Sequence, residues 1–314
     1  MSAPSLLTFE PLFMERPWGG RSIQRELGIP LPENKKIGEL WALVDRPEAQ
    51  SIVKEGPLEG KTLHELWKEQ RELIFGAKYR HHCSQRFPLL CKILDATETL
   101  SLQVHPSAQS ALAFGGELKT EFWYFLKSQP NSFSYVGLKK GITREIFQAA
   151  LRRGEPQKAL YHLFPQEGDS ILIPSGSPHA LGGGNLVLEI QENSDTTYRL
   201  FDWNRLDSTG QERPLHLQEA LASLDFEKEM TFSLQKNGSI ISHSFHAEKW
   251  DLTQPRAVQK FDDFAIITCL TGRLLCQHEV FEPGSFFILP ASLEKIMLIP
   301  QAPGTTILWT RLPN

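Results

Sequence analysis

Short runs of hydrophobic residues, punctuated by Gly, Pro, Asn and Asp, occupy most of this chain. Runs of roughly four to eight such residues between turn-forming residues are typical of β-strands. After about residue 239 every run has this form, and Phe264–Leu270 is a continuous apolar segment of the kind found in buried strands. The pattern predicts a mainly β protein.

Helical periodicity is present in a few segments of the first part of the chain. The clearest is Thr62–Lys78, which begins with a capping box formed by Thr62 and Glu65. Shorter helices are predicted at Thr143–Arg153 and at Leu217–Leu224. We therefore expect a few helical insertions in a β framework, at about residues 60–80, 143–165 and 215–225.

The change in pattern along the chain predicts two domains. A chain of 314 residues is long enough for two cores. The helix at Leu217–Leu224 and the polar stretch after it are the expected joint, with one domain at residues 1–235 and a compact all-β domain at residues 236–314. The second domain offers no metal-ligand set in its sequence, so we expect it to hold no metal.

Composition excludes several classes of partner. The formal net charge is −4 with 22% charged residues, and no clustered basic excess predicts a nucleic-acid surface. The first residues lack a signal-peptide pattern, and no apolar run approaches about 18 residues, so no membrane partner is expected. The four cysteines form no CxxC pair, which favours reduced thiols and a cytoplasmic location.

The first candidate for chemistry is a short strand of alternating character. Leu102 and Val104 face one side of it, while Gln103 and His105 project from the other side, two residues apart. That spacing allows one strand to offer two ligands to one ion. The alternation is equally typical of a strand with one face in solvent.

A second strand begins with a carboxylate. Glu121 heads a segment that is apolar and aromatic on both faces, which indicates an interior strand. A carboxylate at the end of such a strand needs a partner, because burying an unpaired charge is costly. Lys119, on the same side of the chain, and a metal ion are both suitable partners.

His179 completes a possible ligand set. It follows a short apolar strand and a turn rich in Ser, Gly and Pro. Together with Gln103, His105 and Glu121 it gives two imidazoles, a carboxylate and an amide, a donor set that suits zinc, with manganese, iron or cobalt also possible.

Two further charged residues lie in apolar surroundings. Glu189 is in the middle of a predicted strand, and Arg199 lies among aromatic residues on the next one. A half-buried guanidinium favours a bidentate anion, which is a carboxylate or a phosphate. A structural ion pair of Arg199 with Asp195 or Asp202 is the alternative.

Several motifs together resemble type I mannose-6-phosphate isomerase (phosphomannose isomerase) in its shorter bacterial form. The similarity extends from about residue 9 to about residue 205. The motifs that carry it are Pro17–Gly20, Ile37–Trp41, Pro88–Lys92, Leu100–Pro106, Lys119–Glu121, Pro174–Leu181 and Glu189–Arg199. The resemblance implies tandem cupin-like (jelly-roll) barrels, with a few helices inserted in and after the first.

The resemblance also implies roles for single residues. It places one zinc ion per chain on Gln103, His105, Glu121 and His179. It assigns Lys119, Glu189 and Arg199 to the active site, with Lys119 and Arg199 also contacting substrate. Where longer family members continue with Thr-Pro-Lys, this chain has Phe201-Asp-Trp-Asn-Arg205, so Arg205 is the candidate phosphate-binding cation.

The implied reaction interconverts mannose 6-phosphate and fructose 6-phosphate through a cis-enediol. Two alternatives from other classes are a metallo-cupin dioxygenase, which would use iron and consume oxygen, and a non-catalytic sugar-binding cupin. The expected partner is a small sugar phosphate, and the expected assembly is a monomer or a weak homo-oligomer.

Overall fold

The computed structural model of the chain describes residues 5–206, 210–227, 230–259 and 263–313. These residues form a mainly β structure with a few short helices, as the hydrophobic pattern predicts. The strands before residue 202 are β1 (Leu12–Gly20), β2 (Ile37–Leu43), β3 (Asp45–Arg46), β4 (Ala49–Gln50), β5 (Leu89–Ala96), β6 (Leu102–Val104), β7 (Glu121–Ser128), β8 (Ser134–Leu138), β9 (Leu160–Leu163), β10 (Ser170–Ile173), β11 (His179–Leu181), β12 (Asn185–Glu192) and β13 (Tyr198–Phe201).

Two sheets from this part of the chain pack face to face and form what we call the N-terminal sandwich. One sheet has the strand order β1-β2-β5-β12-β7-β10, and the other has the order β13-β6-β11-β8-β9. All the pairings within them are antiparallel. Apolar residues from both sheets meet between them, among them Trp123 and Val187 from one sheet and Val136 and Leu181 from the other.

The later strands form a second pair of sheets, the C-terminal sandwich. Its strands are β14 (Ile240–Ile241), β15 (His246–Asp251), β16 (Arg256–Gln259), β17 (Ala265–Thr271), β18 (Leu274–Cys276), β19 (Glu279–Phe281), β20 (Phe286–Leu289), β21 (Lys295–Pro300) and β22 (Thr306–Arg311). They pair in the orders β14-β15-β22-β17-β20 and β16-β21-β18-β19.

A single apolar core joins the two sandwiches. The outer faces of their larger sheets contribute Leu188 and Ile190 on one side and Ile266 and Leu308 on the other. Side chains that alternate along a strand point to opposite faces, so each central strand serves this shared core with one face and its own sandwich with the other. The shared core therefore fixes the large sheet of the N-terminal sandwich, which carries half of the site described below.

The helices are shorter than the sequence pattern predicts. The segment predicted at Thr62–Lys78 is divided at Gln70, whose backbone leaves the helical region, although the capping box of Thr62 and Glu65 is present. The helices are α1 (Ser22–Leu27), α2 (Leu63–Glu69), α3 (Arg71–Ile74), α4 (Ala108–Phe114), α5 (Arg144–Arg152) and α6 (Leu217–Ser223), with 3-10 turns at Ala77–Tyr79 and Pro156–Ala159. Within the described residues, no helix combines the length and the apolar character that a membrane span needs.

Candidate metal and active site

Strand register brings the predicted metal ligands to one place in the N-terminal sandwich. In the smaller sheet Gln103 on β6 pairs with His179 on β11 and, on its other side, with Arg199 on β13. Residues directly opposite in an antiparallel pair project to the same face, so these three side chains face the same way. Glu121, at the start of β7 in the larger sheet, faces them from across the interior.

The polar ends of these side chains are in contact. The Glu121 carboxylate lies 2.9 Å from His179 Nε2 and 3.4 Å from His105 Nε2. The Gln103 amide lies 3.2 Å from His179 Nε2. One ligand atom from each of His105, Glu121 and His179 lies within 4.8 Å of the others, and all three residues are buried. All four predicted ligands are therefore brought together.

The hydrogen bonds behind the two histidines prepare them to bind a cation. Nδ1 of His105 donates to the carbonyl of Thr196, and Nδ1 of His179 donates to the carbonyl of Ser177, each at 2.9 Å. With Nδ1 protonated, each Nε2 presents a lone pair to the Glu121 carboxylate, which repels it unless a cation lies between them. Within the described residues, His105 Nε2 and both carboxylate oxygens of Glu121 are buried without a hydrogen-bond partner. This donor set fits a divalent transition-metal ion.

The turn before β11 sets the position of His179. Gly176 has a positive φ of 84°, and its N–H donates to the carbonyl of His105 at 2.9 Å. A Cβ at this position would lie 2.9 Å from the carbonyl oxygen of Ser223, which is too close. Only glycine adopts this conformation here without strain. The hydrogen bond from Gly176 to His105 links the turn before His179 to the segment that carries His105.

Lys119 lies beside the carboxylate ligand. Its Nζ is 3.3 Å from Glu121, so the ion pair that the sequence offered as an alternative exists within the ligand cluster. Burial acts to lower the pKa of Lys119, but Glu121 and Glu189 outweigh it and raise the pKa to about 12. Burial and the Lys119 ammonium lower the pKa of His105 to about 3, so this imidazole is neutral at pH 7.

Glu189 lies inside the N-terminal sandwich, in the middle of β12. Trp123 Nε1 donates to its carboxylate at 2.8 Å, and Lys92 Nζ lies 3.6 Å from it. Burial and the Glu121 carboxylate raise the pKa of Glu189 to about 7, against the opposing effect of Lys119 and Lys92. A carboxyl group of this kind can both accept and return a proton near neutral pH.

A row of charged residues extends from Glu189 towards the edge of the sheet, and sequence reasoning missed its members. Lys92 pairs with Glu189 across β5 and β12 and lies 3.8 Å from Glu39, which accepts a bond from Arg16 Nε at 2.8 Å. Burial acts to raise the pKa of Glu39, but Lys92 and Arg16 lower it to about 2. The available signal was a lysine in the mainly apolar β5, where Lys92 is one of the motif residues.

Arg199 has no carboxylate partner among the residues that the structure describes. Its Nη1 donates to the carbonyl of Pro214 at 2.7 Å, and its Nε is buried without an acceptor. Asp202, one of its two possible partners from the sequence, is instead bound by Arg205 and Arg213. Among the described residues the structural ion pair with Asp195 or Asp202 is therefore not formed, and Arg199 pairs with Gln103 in the sheet.

The chain has close relatives among proteins of known function. The family profile of the catalytic domain of type I phosphomannose isomerase matches residues 6–124. Over 300 residues the chain is 37% identical to a probable mannose-6-phosphate isomerase, GmuF, of Bacillus subtilis, covering 91% of this chain and 93% of the relative. It is 36% identical over 307 residues to the mannose-6-phosphate isomerase ManA of the same organism, covering 93% and 95% of the two chains.

A solved structure agrees over the full length. The crystal structure of a mannose 6-phosphate isomerase from Bacillus subtilis superposes with a TM-score of 0.85 at 31% identity, covering 98% of this chain and 100% of the other.

Proposed function

The chain belongs to the type I phosphomannose isomerase family, and from that membership we propose that it interconverts mannose 6-phosphate and fructose 6-phosphate. The observation that carries the proposal is the buried cluster of His105, Glu121 and His179, in a site where Arg199 has no carboxylate partner among the described residues. The names of the relatives favour this reaction over a metallo-cupin dioxygenase or a non-catalytic sugar-binding cupin.

We propose that Gln103, His105, Glu121 and His179 hold one zinc ion. Neutral imidazoles and a carboxylate are donors that zinc accepts, and a turned Gln103 amide would present its oxygen to the same point. When bound, zinc supplies Lewis-acid stabilisation of negative charge on neighbouring substrate oxygens. The ammonium of Lys119 holds the pKa of Glu121 well below its usual range against the effect of burial, so the ligand stays ionised.

Glu189 is our candidate for the group that moves the proton. In this isomerisation a proton leaves C2 of the open-chain aldose and is returned at C1, through a cis-enediol. The indole of Trp123 fixes one carboxylate oxygen of Glu189, and Lys92 lies near the other. A carboxylate held in this way is positioned to accept the proton and to return it on the same face of the substrate.

Two cations would stabilise the substrate's negative charge. Lys119 is fully charged at neutral pH and buried beside Glu121, so it suits a contact with a substrate oxygen next to the metal. Arg199 has a buried Nε–H without an acceptor among the described residues, and it projects to the same face of the sheet as Gln103. Arg205, the third candidate, shares Asp202 with Arg213 at the edge of the site.

The fold supports a finer proposal about architecture. We propose that the two sandwiches are tandem cupin-like barrels and that the chain divides into a catalytic domain at residues 1–235 and a β domain at residues 236–314. The support is that each sandwich encloses its own group of interior residues. Limited proteolysis of the whole chain would be expected to cut first near the joint after α6.

A coupled assay tests the proposed function. Purified protein is supplied with mannose 6-phosphate, and fructose 6-phosphate formation is followed before and after treatment with a chelator. We expect turnover that is lost with the metal and returns when zinc is added. A folded, zinc-loaded protein without turnover would contradict the assignment of this substrate.

The enediol route is tested by isotope exchange. Turnover in heavy water should place deuterium at C1 of the ketose or C2 of the aldose, because a proton held on Glu189 can exchange with solvent. Product without deuterium after many turnovers, including under conditions of slow turnover, would favour a hydride shift.

A further inference from the structure

A polar cleft lies where the N-terminal sandwich is open at one edge. β1 is the edge strand of the larger sheet and β13 is the edge strand of the smaller one. The cleft measures about 640 Å³. Its charged lining consists of Glu15, Arg16 and Lys36 on the side of β1 and of Glu98, Asp202, Arg205 and Arg213 on the side of β13. Cations from the two sheets therefore face each other across the opening.

Positive charge exceeds negative charge on the β13 side of this cleft. Asp202 is the carboxylate bound there, and it accepts from Nε and Nη2 of Arg213 and from Nη2 of Arg205. A third guanidinium, that of Arg199, lies close by, because its Nη1 donates to the carbonyl of Pro214, the residue after Arg213. Arg205 also approaches Glu98 at 3.7 Å, a longer and more exposed contact. Such a cluster favours a further anion.

Two of these cations have hydrogen-bonding capacity left for a ligand. Arg213 uses one side of its fork for Asp202, which holds the guanidinium in a fixed orientation and leaves Nη1 without an acceptor among the described residues. Lys36 is exposed, and within the described part of the chain its ammonium makes no ion pair or hydrogen bond. A phosphate dianion matches both groups, since a guanidinium binds it in a directed way and an ammonium as a point charge.

The cleft is connected to the metal-binding cluster by consecutive contacts. Arg199 lies beside Gln103 in the sheet, and its Nη1 binds the carbonyl of Pro214, the residue that follows Arg213. On the opposite side, Arg16 binds Glu39, which starts the charged row that ends at Glu189. Both sides of the cleft are therefore linked to the site through neighbouring residues.

We propose that Arg213 and Lys36 bind the phosphate group of the substrate, with Asp202 as the positioning residue that orients Arg213. This inference rests on the proposed function for the identity of the ligand. It assigns phosphate recognition to one cation from each side of the cleft. The phosphate subsite is then formed by Lys36, in the loop just before β2, and by Arg213, in the segment between β13 and α6.

The test measures binding of inorganic phosphate by calorimetry and, on the same zinc-loaded samples, kcat and KM for mannose 6-phosphate. Arg213→Gln should weaken phosphate binding and raise KM about 10- to 100-fold, since it removes a charge-assisted contact. Lys36→Met should weaken both about 2- to 5-fold, as expected for an exposed charge. Arg153→Gln, which alters an exposed ion pair elsewhere, is the control and should change neither.

Further variants separate a structural role from a binding role. Arg213→Lys keeps the charge without the fork, so it should recover part of the phosphate affinity. If Arg213→Gln does not fold, Lys36→Met still tests the inference, because its side chain has no partner to lose. Unchanged phosphate affinity in Lys36→Met and in a folded Arg213→Gln would overturn the proposal, and so would a wild-type protein that binds no phosphate.

The same experiment distinguishes this inference from the proposed function. Phosphate binding that depends on Arg213 and Lys36, in a protein that does not convert mannose 6-phosphate, would contradict the function and keep the phosphate site. If the protein turns over mannose 6-phosphate but its phosphate affinity does not change on substitution of Arg213 or Lys36, the proposed function stands and the proposed phosphate site is wrong.

Discussion

The central strands of the two sandwiches are alike on the face that packs in the shared core and differ on the face that points into each sandwich. β12 and β17 both turn alternate apolar residues, such as Leu188 and Ile266, towards the shared core. Facing its own interior, β12 presents Glu189, whereas β17 presents Ile267 among apolar neighbours. The interior of the N-terminal sandwich therefore carries the charged groups of the candidate site, whereas the interior of the C-terminal sandwich is an apolar core.

Chemistry needs buried charge, and buried charge requires partners. In the N-terminal sandwich Glu189 is held by Trp123 and Lys92, and Glu121 is paired with Lys119. Among its described residues, the C-terminal sandwich has no such buried charged group in its apolar core. That core consists of Leu6, Leu252, Val258, Ala265, Ile267, Cys269, Leu274, Cys276, Phe281, Phe287, Leu289, Ile296, Leu298, Ile307 and Trp309. Substitutions that remove a charge in the N-terminal sandwich should lower activity. Substitutions that remove side-chain volume in the C-terminal sandwich should lower stability and leave activity unchanged.

The largest effect is expected from the carboxylate ligand. Glu121→Gln should lower turnover by roughly 10⁴-fold or more, because Lewis-acid stabilisation worth several kcal/mol is lost with the ion. Steady-state kinetics and metal analysis of the same sample measure both losses. Glu279→Gln, at a partly exposed carboxylate of the C-terminal sandwich, is the matched control and should keep both metal and activity.

The next effect concerns the proton-transferring group. Glu189→Gln should reduce kcat by about 10²- to 10⁴-fold, the usual contribution of general acid–base catalysis, while the bound metal is retained. Steady-state kinetics give kcat, and metal analysis of the same sample gives the bound metal. A variant with near wild-type kcat would exclude Glu189 as the group that moves the proton.

A third prediction concerns acid. Glu39 has a pKa of about 2 in the folded protein, below its ordinary value of 4.5, because Lys92 and Arg16 outweigh burial. Its contribution to the free energy of unfolding is therefore present above about pH 4.5 and is lost as the pH falls towards 2, by roughly 3 kcal/mol. Hydrogen exchange on the whole chain should show the N-terminal sandwich losing protection first.

The variant Glu39→Gln checks that prediction. Its stability should be lower than wild type at pH 7 and should depend less on pH between 5 and 2. An equal acid dependence in wild type and Glu39→Gln would exclude Glu39 as the source.

The smallest effect is expected in the C-terminal sandwich. Ile267→Val removes one buried methyl group, which should cost about 0.5–1.5 kcal/mol in the free energy of unfolding. Denaturant titration measures the cost, and kcat should not change. A fall in kcat at unchanged metal content would mean that the C-terminal sandwich contributes to the site.

Much of the site could be predicted because its ligands lie in short local patterns. The two-residue spacing of Gln103 and His105 and the turn before His179 are visible in the sequence. Their convergence depends on strand pairing, which the family resemblance supplied and which periodicity alone does not give. Lys92 was not predicted as a site residue because β5 is buried on both faces, so the hydrophobic pattern does not show to which face the lysine side chain projects.

The broken helix and the phosphate cations could not be predicted for a related reason. Helical periodicity continues through Gln70 because Trp67 and Phe75, on both sides of the break, are buried in one aromatic cluster. Tertiary packing there overrides the local pattern. Lys36 and Arg213 are far apart in sequence, and only the open edge between the two sheets brings them to one cleft.

The central claim is that turnover depends on a metal ion held inside the N-terminal sandwich. The most direct test is to strip the protein of metal and add zinc back in steps, measuring bound metal and mannose 6-phosphate turnover on each sample. We expect turnover to rise in proportion to bound zinc and to stop rising at one ion per chain, with no recovery in Glu121→Gln. Turnover that persists without metal, or recovery in that variant equal to wild type, would contradict the account.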